Sequence, residues 1–414
     1  MRLPRTTTFD LWLVAVVLAL LALGLAMVYS ASGIRALDAL DDPGYFLLQQ
    51  SAWAAVGLAA MVAFARVDYH RLRPLALPLL GVVFALLLVV LVPGIGTRAG
   101  GAARWIRLGP VGLQPAELAK LALVLYLASW LGPRAREIGA AGVTGPFALL
   151  VGAVAALVVA EPDLGTAIVI GALALAMYFV AGARIREFGA LGLGAGGLVA
   201  LAAVAQPYRL QRLLTFLDPW SDPRGAGFQT IQSLYALALG GPFGEGLGAS
   251  REKSGFLPAP YTDSIFAVLG EELGLWGALV VVSLFFALAF RGIRIALRAP
   301  DREGALLATG ITIWLAFQAW VNMAVVASLV PMTGITLPFI SYGGSSLVVG
   351  LVGVGILLSV GHRGAAAVPR ALPRASRGRW DGRPRQSAAR GGGGARGGRR
   401  AASAVRGWSP RSRG

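Results

Sequence analysis

The sequence predicts an all-α polytopic membrane protein with about ten transmembrane helices, and three observations carry that expectation. Of 414 residues, 56% are hydrophobic and only 14% charged, against about 25% charged in an average soluble domain, and the mean hydropathy is +0.69. Apolar runs of helical length recur ten times along the chain. Basic residues gather in alternate connections between those runs. The chain has no cysteine, which excludes disulfide scaffolds, thiolate metal sites, Fe–S clusters and thiol nucleophiles. His70 and His362 are the only histidines, too few for a His-rich metal centre.

A hydrocarbon core of roughly 30 Å asks for about 20 apolar residues per helix. Such runs cover 10–29, 46–65, 74–92, 115–131, 146–160, 164–181, 187–205, 274–291, 304–328 and 342–360, with Glu161-Pro162 dividing the fifth from the sixth. The first, followed by nine others, reads as an anchor helix rather than a cleaved signal. With a cytoplasmic N-terminus, Arg66, Arg71 and Arg73, Arg134 and Arg136, Arg184 and Arg186, and Arg291, Arg294, Arg298 and Arg302 all fall on the inner side, as the positive-inside rule requires. Ten spans return the C-terminus to that side. The expected location is the inner membrane, multi-pass, with both termini cytoplasmic.

The net charge of +17 is concentrated at one end, since residues 361–414 hold 14 Arg and one Asp. This Arg/Gly-rich stretch has few aliphatic residues to bury. Residues 362–414 are therefore expected to form a disordered cytoplasmic tail near the anionic lipids of the inner leaflet. RNA or an acidic cytoplasmic partner is the less favoured reading, and no helix-turn-helix, P-loop or dinucleotide fingerprint points to nucleic acid. Residues 1–361 are expected to form one transmembrane domain.

One outer connection stands apart. Residues 206–273, between the seventh and eighth spans, make a loop of about 68 residues rich in aromatics such as Phe216, Trp220, Tyr235 and Phe256. Loops of that length are functional or disordered, and this composition predicts interfacial helices, for example around Thr230–Leu239. A second outer segment, 93–114, carries Arg98, Arg104, Trp105 and Arg107 among glycines. Any chemistry should face the outer side.

Ionisable groups inside spans are costly and point to function. Glu117 and Lys120, three residues apart at the head of the fourth span, share a helix face and should pair; a helix-start charge pair with no further role is the plainer alternative. Lys120 and Lys253 are the only lysines, and a retained Lys beside so many Arg suits a need for a compact ammonium. Asp163 is placed to cap the sixth span. Asp263, after the rigid Pro258-Ala259-Pro260-Tyr261-Thr262, is held at the outer surface, where it serves either as an N-cap or as a reactive carboxylate. It shares the outer loops with Arg104, Arg107, Arg209, Arg212, Arg251 and Lys253. A carboxylate beside cations suits a phosphate-bearing substrate, with the cations holding the phosphate and the carboxylate accepting a proton.

Six segments in order resemble the FtsW/RodA/SpoVE family, the SEDS proteins of shape, elongation, division and sporulation. They are Met27–Ser32, Gly101–Ile106, Gln114-Pro115-Ala116-Glu117-Leu118-Ala119-Lys120, Glu161-Pro162-Asp163-Leu164-Gly165-Thr166-Ala167, Gly246–Asp263 and Thr333–Ser346. The likeness runs from Asp10 to about Gly361. It implies a peptidoglycan glycosyltransferase that polymerises lipid II, a disaccharide-pentapeptide on undecaprenyl diphosphate, into glycan strands on the outer face. It also implies a class B penicillin-binding protein as cross-linking partner, together with other divisome proteins. By position, Asp263 matches the essential loop aspartate and Trp105 an important outer-loop tryptophan, while Glu117 and Lys120 match a charged pair lining the central cavity. Substrate contacts are expected at Trp105, Arg104, Glu117, Lys120, Arg209 and Lys253. Ser250, Lys253 and Gly334–Pro338 look more like the FtsW branch than the RodA branch, which favours a septal role in division. No cofactor is required; a divalent cation, Mg or Mn, is a candidate helper, though no ligand cage is visible.

The chain departs from the family where Pro-Glu-x-His-Thr-Asp-Phe is usual: Ala259, Tyr261 and Ser264 replace the Glu, His and Phe. Two alternatives follow. A lipid II flippase would suit ten spans with a buried charge pair, and a scaffold that activates a class B penicillin-binding protein would suit an altered loop.

Overall fold

The computed structural model describes residues 10–99, 102–109, 111–134, 137–253 and 255–367; the Arg-rich tail beyond them lies outside the described residues. Ten long helices occupy the ten expected runs: α1 (Leu11–Leu40), α2 (Tyr45–Arg66), α3 (Arg73–Val90), α4 (Pro115–Leu131), α5 (Ala141–Ala160), α6 (Leu164–Val180), α7 (Ile185–Val204), α10 (Ile265–Leu297), α11 (Arg302–Val326) and α12 (Gly344–Ala367). Two shorter helices, α8 (Pro207–Leu217) and α9 (Phe228–Gly240), fold the long connection between α7 and α10 back onto the bundle. Among the described residues, eight of the helices are long and apolar enough to cross a membrane by length and composition. The other two of the ten, α4 and α6, have 17 residues each.

Local chemistry sets the helix ends. Asp10 caps α1 through Leu13 N–H (3.1 Å), Asp163 caps α6 through Thr166 N–H (3.1 Å), and Asp301 caps α11 through Gly304 N–H (2.8 Å), each satisfying an orphan donor of the first turn. Pro115 opens α4 at a position where a missing N–H costs nothing. Helices α4, α11 and α12 form the packed centre, with Leu123, Leu127, Trp314 and Val354 fully or almost fully buried. Helix α7 sits at the edge and buries none of its residues.

Two differences from the sequence reading position the site. The segment expected as a Gly-rich loop forms a three-stranded antiparallel sheet of β1 (Gly96–Ala99), β2 (Ala102–Leu108) and β3 (Val111–Leu113). Gly109, at φ +65°, turns β2 into β3. Helix α10 begins at Ile265 rather than 274, so the long connection ends earlier, and Gly274 (φ 67°, ψ −167°) is a kink inside it. Glu271 and Glu272 interrupt the apolar run there, but both are buried and matched. Glu272 accepts from Ser30 (2.6 Å) and Lys253 (2.7 Å), and Glu271 accepts from Ser250 (2.5 Å) and Arg251 N–H (2.6 Å).

At the opposite end of the bundle a charged strap joins three segments. His70 bridges Asp68 (2.8 Å) and Asp301 (3.0 Å), Arg363 pairs with Asp68 (3.0 Å), and Tyr69 donates to Asp301 (2.5 Å).

Candidate active site

Between α11 and α12 the chain runs without helix through Pro331–Gly343, although Ile335, Leu337, Phe339 and Ile340 are buried. Irregular backbone buried in a membrane protein must find partners within the protein. Here Gln318 donates to the Thr336 carbonyl (3.0 Å), Asn322 to the Ile335 carbonyl (2.8 Å), and Leu337 N–H to Ser341 Oγ (2.8 Å). Gln50 accepts from Gly343 N–H (3.2 Å).

This segment holds the Asp263 loop. Ser341 Oγ donates to the Thr262 carbonyl (2.6 Å), Tyr342 N–H to the Tyr261 carbonyl (2.9 Å), and Asn322 Nδ2 to the Asp263 carbonyl (2.8 Å). The N-cap position of α10 is Ser264, and no side chain caps it. The Asp263 carboxylate is therefore left for other work. Its Oδ1 accepts from Thr262 Oγ1 (3.1 Å) and its Oδ2 receives a long contact from Gln229 Nε2 (3.4 Å), whose amide donates more closely to Ser264 Oγ (2.9 Å).

Asp263 opens onto a cleft also lined by Gln229, Ser233, Asn322, Thr333 and Gly334. The cleft has space for about 10 Å³, roughly one water. The carboxyl touches the surface yet is dehydrated, and burial pushes its pKa up. Hydrogen bonds from its own backbone N–H, Thr262 and Gln229, and the charge of Arg212, act in the opposite direction. A raised carboxyl with room for one small polar group can hold and take up a hydroxyl proton.

Beside this cleft lies a larger cavity of about 390 Å³, which shares Gln229 and Met332 with it and includes Arg212 in its wall.

Glu117 and Lys120 pair at 2.7 Å and are almost fully buried. Lys120 also donates to Gln318 Oε1 (2.6 Å) and lies 5.2 Å from the Trp314 ring centroid. Gln318 and Asn322, one helical turn apart on α11, thus connect the charge pair to the 331–343 segment and to Asp263. Sequence reasoning missed both. Two amides inside an otherwise apolar run were the signal.

Three of the expected substrate cations are engaged with the protein itself. Arg104 donates to the carbonyls of Glu161 (3.2 Å) and Pro162. Arg209 donates to those of Ala202 (3.1 Å) and Val159 (2.7 Å), and Lys253 to Glu272 and Ser30. Trp105 is half-buried on β2 and its ring lies against Gly112, where a Cβ would sit 3.3 Å away. Trp105 and the charge pair do not line the Asp263 cleft. The charge pair reaches it through Gln318 and Asn322, while at the Arg104 anchor Gly165 packs so closely on Thr333 and Ile335 that a Cβ would meet them at 2.8 and 2.6 Å.

At the same corner Glu161 is fully buried and its carboxylate oxygens meet no donor among the described residues. Burial first, and then repulsion by Asp163, pushes its carboxyl up to about 8, while Arg104 opposes the shift. For a divalent cation, no three His, Asp or Glu side chains converge among the described residues, and Asp263 is the one carboxylate of its cleft. These residues do not make a dedicated cage.

A family model described as a cell cycle protein, FtsW/RodA/SpoVE, matches residues 11–365. The chain is 46% identical over 359 residues to stage V sporulation protein E of Bacillus subtilis, covering 86% of this chain and 98% of that one. It is 44% identical over 361 residues to a probable peptidoglycan glycosyltransferase FtsW of Geobacter sp., covering 87% and 98%. Among solved structures, a chain of a peptidoglycan synthase complex that coordinates polymerization and crosslinking superposes with a TM-score of 0.70 at 36% identity, covering 86% and 98%. The rod shape determining protein RodA of Thermus thermophilus superposes with a TM-score of 0.65 at 32% identity, covering 87% and 98%. Ten apolar helices, a folded long connection between α7 and α10 and a match running almost from end to end of the bundle lead to one conclusion: this chain belongs to the FtsW/RodA/SpoVE family.

Proposed function

We propose that the protein is a peptidoglycan glycosyltransferase that polymerises lipid II on the outer face of the inner membrane, with Asp263 as general base. The observation that carries this reading is the setting of Asp263: a dehydrated carboxylate, fixed through its main chain by Asn322, in a cleft that admits one small polar group. Asp263 takes the proton of the acceptor's sugar hydroxyl as the hydroxyl oxygen bonds to the donor's anomeric carbon. The bond from that carbon to the lipid diphosphate breaks, and its electron pair leaves with the diphosphate. Attack opposite the leaving group inverts the anomeric centre. Base catalysis of this kind contributes about 10²–10⁴-fold.

Membrane orientation follows the arginine distribution, with the His70–Asp301 strap cytoplasmic and Asp263 outside. A class B penicillin-binding protein is the proposed partner, in keeping with the solved complex that couples polymerization to crosslinking. A septal role is proposed from the likeness to the FtsW branch. Of the departures around Asp263, Ser264 accepts the amide of Gln229 and Tyr261 packs between Phe46 and Tyr342. The altered loop is thus supported by its own contacts, which favours catalysis over a scaffold role.

The test is gel analysis of glycan polymer made from lipid II by purified protein and partner, with wild-type and Asp263→Ala chains. Polymer from the wild type alone supports the reading. Labelled lipid II that crosses vesicles without polymer, equally in both chains, replaces it with the flippase.

A further inference from the structure

Helix α8 has two faces with the same spacing. Leu210, Leu213, Leu214 and Leu217 follow one helical stripe, and Leu214 and Leu217 are exposed. Tyr208, Gln211, Arg212 and Thr215 follow a second stripe, two residues out of phase and so nearly opposite, and line the 390 Å³ cavity. A helix with one exposed leucine face lies in the membrane interface, with Trp220, also exposed, beside it. The cavity behind the helix then sits at headgroup depth.

We propose that this cavity is an anion subsite in which Arg212 takes the diphosphate of a polyprenyl-linked substrate. Arg104, Arg209 and Lys253 are occupied by carbonyls or carboxylates of the protein, whereas Arg212 makes one long contact to the Met332 carbonyl (3.4 Å) and stacks 4.5 Å from the Tyr208 ring centroid. Its remaining N–H groups meet no acceptor among the described residues. The planar guanidinium is held by that stacking with its donors still available, the arrangement that suits two-pronged phosphate binding. Gln211, Thr215 and Thr230 add polar groups to the same wall. Asp222 also lines the cavity, with one oxygen given to Ala226 N–H (2.9 Å). Gln229 borders both this cavity and the Asp263 cleft. A diphosphate here would set the anomeric carbon next to the base. The diphosphate's identity as a leaving group rests on the proposed function; the anion site itself does not.

The experiment measures binding of undecaprenyl diphosphate, undecaprenyl monophosphate and inorganic pyrophosphate to the full chain in nanodiscs. The wild type is expected to bind the lipid diphosphate best. Arg212→Ala should weaken that binding about tenfold or more, Arg212→Lys should restore part of it, and Arg186→Ala, an exposed cation on α7 outside every candidate site, should stay within about twofold of wild type. Arg212→Gln, which keeps a donor for Met332, is read in place of Arg212→Ala if the latter does not fold. Equal binding by wild type and the Arg212 variants overturns the subsite. Inorganic pyrophosphate binding as tightly as the lipid overturns the lipid assignment. Asp263→Asn should bind the lipid diphosphate at least as well as wild type. Polymerisation by that variant would remove the base while leaving the Arg212 result standing.

Discussion

Asn322 donates one hydrogen bond to the main-chain carbonyl of Asp263 and another to that of Ile335, both at 2.8 Å. One amide on α11 thus ties the end of the long α7–α10 connection to the buried non-helical segment. Asn322→Ala leaves both carbonyls without this donor, and each buried unpaired group costs about 1–3 kcal/mol. Thermal unfolding in detergent should show a lower Tm. The polymerisation rate should fall while the pH at half-maximal rate stays in place, because Asn322 positions Asp263 without bonding its carboxylate.

The pH–rate profile should rise with pH, since the base works only when ionised. Burial raises the carboxyl of Asp263, so the rising limb should lie above the ordinary aspartate range of about 3.9. Gln229→Leu removes a donor that favours the charged form and should move that limb to higher pH. An unmoved limb would separate Gln229 from Asp263.

The Glu117–Lys120 pair should behave as a buried ion pair. Lys120→Met alone strands Glu117 and should cost about 3–5 kcal/mol, and the double change Glu117→Gln with Lys120→Met should recover much of the loss. Denaturation of the three chains checks this, and additive losses would contradict the pairing.

Glu161 yields a stability prediction with a definite sign. Its folded pKa of about 8 exceeds the unfolded value of about 4.3, so the folded state binds the proton more tightly. That contribution is fully present below about 4.3 and is lost as pH rises through about 8. Glu161→Gln fixes the neutral form and should flatten the decline of Tm across this window. A parallel decline in both chains would place the ionising group elsewhere.

Much of this was legible in the residues. Apolar runs place ten helices because the bilayer demands length and hydrophobicity together, and Asp163 announces its cap. Glu117 and Lys120 announce their pairing by spacing alone. The early start of α10 was not legible because the partners of Glu271 and Glu272, which are Ser30, Ser250 and Lys253, come from other segments, and only tertiary contacts reveal that those charges are matched. The small sheet was missed because its glycines mask strand alternation. The roles of the cations were also hidden: the sequence places Arg104, Arg209 and Arg212 in connections expected on one side of the membrane, but does not show which guanidinium is already held by backbone carbonyls.

The most direct test of the central claim is the steady-state rate of lipid II consumption by Asp263→Asn against wild type, both with partner and both with the same Tm. The substitution keeps size and removes the base. A fall of about 10²-fold or more is the result this account predicts, and a rate equal to wild type would contradict it.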